Sequence, residues 1–87
     1  MTNGVTYPFA KRLATKFLAE TRGGSAPKKA SISTKQEIKQ NFEALVEIAF
    51  GSQGINFNSY GIKRMITVYA KEFEPNRYEV LKTRYFL

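Results

Sequence analysis

The chain has 87 residues, 43% of them hydrophobic, and 14 Lys+Arg against 7 Asp+Glu give a net charge of +7. It contains no Cys, His or Trp, and all seven acids are glutamate. Those absences exclude a disulfide scaffold, a Cys/His zinc site and the usual histidine general base, and the length fits one small domain with a thin core.

The charge is segregated. Residues 1–36 carry seven basic residues (Lys11, Arg12, Lys16, Arg22, Lys28, Lys29, Lys35) against the single acid Glu20, a net +6. Residues 37–87 carry seven basic and six acidic residues, a net +1. Solubility alone does not require such a division, so the asymmetry points to a field aimed from one part of the molecule.

In chain order, the apolar spacing predicts a first helix over about residues 8–19. Phe9, Ala10, Leu13, Ala14 and Phe17 fall on one face, and Lys11, Arg12, Thr15 and Lys16 on the other. Pro8 suits its first turn, where a missing N–H costs nothing. The stretch 21–31 gathers Gly, Pro and Ser and reads as a loop.

A second helix is expected to start at Ser33 or Thr34, with Ser33 and Gln36 spaced as a capping box, and to run unbroken to Phe50. Its core face is Ile38, Phe42, Leu45, Val46, Ala49 and Phe50, and Gly51 stands at the C-cap position. Residues 51–58 form a turn, with a short extended piece at Ile55 to Phe57. Asn58 or Ser59 then caps a third helix running to about Phe73. Its inward face is Ile62, Met65, Ile66, Tyr69 and Phe73; its outward face is Tyr60, Lys63, Arg64, Thr67 and Lys71. Glu74-Pro75-Asn76 ends that helix and opens a fourth, striped by Tyr78, Leu81 and Tyr85 with Phe86 beside them. The expected fold is all-α: a single domain of three to four short helices, with residues 1–35 a basic helix and loop and 36–87 a three-helix core.

Catalysis finds little material. No Cys, His or Asp is available as a metal ligand, and Ser or Thr nucleophiles lack a histidine partner. Glu43 and Glu47, at i and i+4, read as a solvated helix face. The expectation is a protein that is not an enzyme, with no cofactor and no metal.

Two glycine motifs are short. Arg22-Gly23-Gly24 is a single RGG, and Gly51-Ser52-Gln53-Gly54 spells the GXXG of a KH loop without the strands that a KH domain needs. Residues 1–33 have the acid-poor composition of a transit peptide. No apolar run approaches the ~20 residues of a membrane span, and the lack of Cys fits the cytoplasm.

Nucleic-acid binding is the function that these features support. Lys11, Arg12, Lys16, Arg22, Lys28 and Lys29 are placed to neutralise phosphates. Asn58, Tyr60, Lys63, Arg64, Thr67 and Lys71 lie on or beside the third helix, in an arrangement loosely like a helix-turn-helix, although the turn spans about eight residues. DNA is preferred to RNA as the ligand, in a regulatory role. The competing class is a protein-interaction module of the accessory-subunit or phage- or plasmid-inhibitor type. It would dock on an acidic protein or form a homodimer through its many aromatics, five Tyr and seven Phe.

Overall fold

The structure is a computed structural model that describes residues 4–51 and 60–85. These form five α-helices: α1 (Tyr7–Glu20), α2 (Ile32–Gln40), α3 (Phe42–Phe50), α4 (Tyr60–Phe73) and α5 (Pro75–Tyr85). A short 3₁₀ turn, Pro27–Lys29, lies in the loop after α1. No strand occurs among the described residues. Of the expected turn at 51–58 only Gly51 is described; the rest of it, the cap at Asn58 or Ser59, and Phe86 fall outside the described residues.

The all-α expectation holds, and the helix count is higher than expected because the second helix is two. Asn41 stands between α2 and α3 at φ −112°, ψ 18°. Its side-chain amide donates to the Glu37 carbonyl at 2.9 Å, and its backbone N–H reaches the same oxygen at 3.2 Å. A short amide that competes for a helical carbonyl in this way interrupts the ladder. The apolar stripe runs straight through the break, from Ile38 to Phe42, Leu45 and Val46, which is why spacing alone does not reveal it.

The start of α2 also differs. Ser31 is the N-cap, and its hydroxyl oxygen accepts the Thr34 N–H at 3.2 Å. Ser33 and Gln36 do not form the expected box. The residue that completes the cap comes from α1: Glu20 Oε1 accepts the Ser31 N–H at 2.8 Å, and Oε2 accepts the Thr34 hydroxyl at 3.2 Å.

The first helix forms where expected. Thr6 caps it by accepting the Phe9 N–H, and Pro8 lies in its first turn. Its end is a Schellman motif: Gly23 N–H bonds to the Leu18 carbonyl at 2.7 Å, with Arg22 in the left-handed region at φ 55°.

At the centre stands α4, packed against α1, α3, α5 and the 3₁₀ turn. It buries Ile62, Met65, Ile66, Tyr69 and Ala70 against Phe17 and Leu13 of α1, Leu45 of α3 and Leu81 of α5, which belong to the same core cluster. Each such large side chain contributes about 1.5–3 kcal/mol by leaving water. Phe73, expected inside, is only half-buried, and Lys35 lies 5.0 Å above its ring. At the far end of α4, the Tyr69 hydroxyl donates to Glu74 Oε2 at 2.8 Å, and Arg77 pairs with the same carboxylate at 3.0 Å. Arg77 also covers Phe42 at 4.6 Å, so α3, α4 and α5 meet at this cluster.

Candidate nucleic-acid interface

The placement of the basic residues follows from two helix ends. After α1, Gly23 and Gly24 adopt φ of 70° and 96°, which lets the loop fold back onto α4. A Cβ on Gly24 would lie 3.1 Å from Val68 Cγ2 and 3.3 Å from Arg64 Nε, so glycine permits the approach. Across that contact Arg64 Nε donates to the Gly23 carbonyl at 2.7 Å. The loop that carries the expected cation Arg22 is thereby tied to the expected helix cation Arg64. The bond occupies only one of the five guanidinium N–H groups of Arg64.

Along α4, Tyr60, Lys63, Arg64 and Lys71 are exposed and Thr67 is half-buried. They recur every three or four residues, so they share one stripe. Lys63 sits 5.6 Å above the Phe50 ring, and Phe50 stacks on Tyr85 at 4.9 Å. Phe50 and Val68, together with Tyr60, Lys63, Arg64 and Thr67, line an open groove of about 290 Å³. Phe50 and Val68 are not legible as site residues, since in the sequence Phe50 reads only as part of a core face and Val68 falls in neither face of its helix.

Lys28 and Lys29 are exposed on the 3₁₀ turn, which packs against α4. Lys28 approaches Glu72 at 3.9 Å with 82% of its side chain in solvent, a pairing that neutralises it only weakly. Lys11, Arg12 and Lys16 are exposed on the outer face of α1 and line a separate open groove of about 720 Å³ that includes Glu37 of α2. The structure thus places Tyr60, Lys63, Arg64 and Thr67 on one groove and Lys11, Arg12 and Lys16 on another, with Arg22 exposed one residue before the carbonyl that Arg64 holds. Asn58 lies outside the described residues.

The RGG motif has a backbone role. The N–H groups of Gly23, Gly24 and Ala26 all bond to carbonyls of residues 18–21. The loop therefore offers no nest of free N–H groups to an anion, and its side chains carry the charge.

The one acid of the basic half is engaged elsewhere. The hydrogen bond from the Ser31 N–H holds the Glu20 carboxyl below its ordinary value of 4.5, with partial desolvation opposing and the Thr34 hydroxyl and Lys16 assisting. Its charge serves the α1–α2 junction.

Among the described residues no group of three His, Cys, Asp or Glu is placed to hold a metal, and no helix is long and apolar enough to cross a membrane. No protein-family model, curated protein or solved structure matches the chain.

Proposed function

We propose that the protein is a small nucleic-acid-binding protein with no catalytic role, which holds phosphates through Arg22, Lys63, Arg64 and Lys71, with Lys28 and Lys29 at the margin. The observation that carries this reading is the 2.7 Å bond from Arg64 to the Gly23 carbonyl. It ties the loop that carries Arg22 to the helix that carries Lys63, Arg64 and Lys71, elements distant in sequence. Lys11, Arg12 and Lys16 supply a second set of phosphate contacts, so that a long ligand engages both regions. A regulatory role on DNA is the form of this activity that best suits the chain's size and charge.

Binding of this kind is driven by release of counterions, and its affinity falls with salt by a slope of roughly −0.9 for each phosphate neutralised on duplex DNA, or −0.7 on single strands. Fluorescence-polarisation titrations of labelled oligonucleotides at 50–200 mM salt test it. A steep slope is expected, reduced by about one unit in each of Lys63→Ala and Arg64→Ala. No binding at the lowest salt would overturn the reading. Capture of a protein partner that survives nuclease treatment would then assign the surface to an acidic protein instead.

A further inference from the structure

We infer that the groove along α1 docks an acidic amphipathic helix of a partner protein, whose apolar side chains meet Phe9 and Leu13 and whose carboxylates meet Lys11, Arg12 and Lys16. The inference goes beyond the nucleic-acid reading and does not depend on it. It adds a regulatory consequence. The three cations cannot hold phosphates and a partner's carboxylates at once, so the partner detaches the far end of a long polynucleotide.

The groove encloses about 720 Å³, and its apolar surface comes from Pro8, Phe9 and Leu13. Leu13 is buried and Phe9 half-buried, so the hollow reaches down to the core beside a partly open ring. Lys11, Arg12 and Lys16 are exposed, and Arg12 and Lys16 lie one turn apart on the same side of the helix, as Phe9 and Leu13 do. Their alkyl stems extend the apolar surface while the charges stay in water. From Pro8 to Lys16 the backbone of α1 advances ~12 Å, about two turns. A partner helix presents anchors at i, i+3, i+4 and i+7 over the same span, the spacing that helix-in-groove recognition uses.

Charge selects the partner. Three cations stand in the groove against the single carboxylate of Glu37. The ion pairs among the described residues join Lys28 to Glu72, Arg77 to Glu74 and Lys82 to Glu79, so none of them neutralises these three. Glu20, one turn beyond Lys16, gives its two carboxylate oxygens to Ser31 and Thr34. Cations beside apolar surface are complemented by carboxylates beside apolar side chains, and such complementarity steers association and fixes register. Glu37 favours a peptide over a polynucleotide in the groove itself. A nucleic-acid strand carries a negative charge at every nucleotide, whereas a peptide can set a neutral or basic residue at that one point.

The test uses a labelled 14-residue peptide, stapled into a helix on its outer face, with leucines spaced i, i+3, i+4 and i+7 and glutamates flanking them. Its controls are a stapled peptide of the same composition with the leucines dispersed around the helix, and oligoglutamate of the same length. Fluorescence polarisation is expected to show the probe binding about tenfold or more tighter than either control. Arg12→Glu combined with Lys16→Glu is expected to cost about tenfold or more. Thr15→Trp, at an exposed position that lines the groove, is expected to do the same by filling it. Unchanged far-UV circular dichroism shows that these variants fold. Saturating probe is also expected to weaken binding of a 30-nucleotide oligothymidylate. Either control bound as tightly as the probe, or a probe that binds the variants unchanged, would overturn the docking site. Probe and oligothymidylate bound together without mutual loss of affinity would overturn the competition. A chain that binds the probe and no oligonucleotide would support the docking site and overturn the nucleic-acid reading; one that binds oligonucleotides and not the probe would do the reverse.

Discussion

Glu20 accepts the Ser31 amide at 2.8 Å and thereby joins the last turn of α1 to the N-cap of α2. In a capping box the carboxylate comes from the third residue of the same helix; here that residue is Thr34, and the acid is supplied across eleven positions of sequence. Replacing Glu20 with Ala is expected to lower stability by about 1–2 kcal/mol, a Tm loss of roughly 4–16 °C for a domain this small. Chemical denaturation monitored by circular dichroism measures it.

The same contact sets an acid limb to the stability curve. Because folding lowers the Glu20 pKa, its contribution is present above the ordinary value of 4.5 and fades as pH falls through the lower folded value. The stability gap between wild type and Glu20→Gln should be widest above pH 4.5 and should shrink below it. A gap independent of pH would show that the carboxylate charge is not what the cap uses.

Arg22 occupies the left-handed position that ends α1, where glycine is the usual residue. An L side chain there costs about 1–2 kcal/mol. Arg22→Gly should therefore raise stability, by about 0.5–1 kcal/mol once the greater freedom of the unfolded chain is subtracted. The same change should weaken oligonucleotide binding. Opposite signs in the two measurements would mark Arg22 as a residue kept for its charge at a cost in strain.

Arg64→Lys separates charge from geometry at the patch. Lysine keeps the positive charge but lacks the planar fork, one N–H of which holds Gly23 while the others would serve a phosphate in the proposed function. Binding is expected to weaken with the salt slope nearly unchanged, and amide exchange in residues 22–26 should quicken. Arg64→Ala should reduce both affinity and slope.

Tyr69 is buried, and its hydroxyl donates to Glu74. Burial, with the adjacent carboxylate, pushes its phenol far above the ordinary value of 10. The neutral form is the one that the fold favours, so this contribution is intact below pH 10 and is lost as pH rises toward the folded value. Tyr69→Phe should cost about 1 kcal/mol at pH 7 and should lessen the alkaline loss of stability. Ultraviolet titration should find that the Tyr69 phenol ionises only as the chain unfolds.

Much of the architecture is written in local spacing. The inward sets of α1 and α4 are strongly periodic, and Pro8 and Pro75 stand in first turns where the structure has them. What spacing misses is set by single polar atoms. The α2–α3 break depends on one amide at Asn41, and the start of α2 depends on Glu20, which periodicity places on the flank of another helix. The candidate site divides in the same way. The cations of α4 and the loop are legible one by one, while their union depends on Gly23 and Gly24 folding against Arg64 and Val68. The groove floor is not legible, because Phe50 reaches α4 only through the packing of α3.

Because α4 is pinned on its inner side, its outer residues are spaced as on a ruler. From Tyr60 to Lys71 the backbone advances ~16 Å at 1.5 Å per residue. Stacked nucleotides advance ~3.4 Å each along one strand, so under the proposed function the rail would cover a footprint of about five nucleotides. Shorter oligomers would leave one end of the rail empty, and affinity should climb with oligomer length to that size before levelling. Further length should then strengthen binding only once the strand is long enough to reach Lys11, Arg12 and Lys16 on α1.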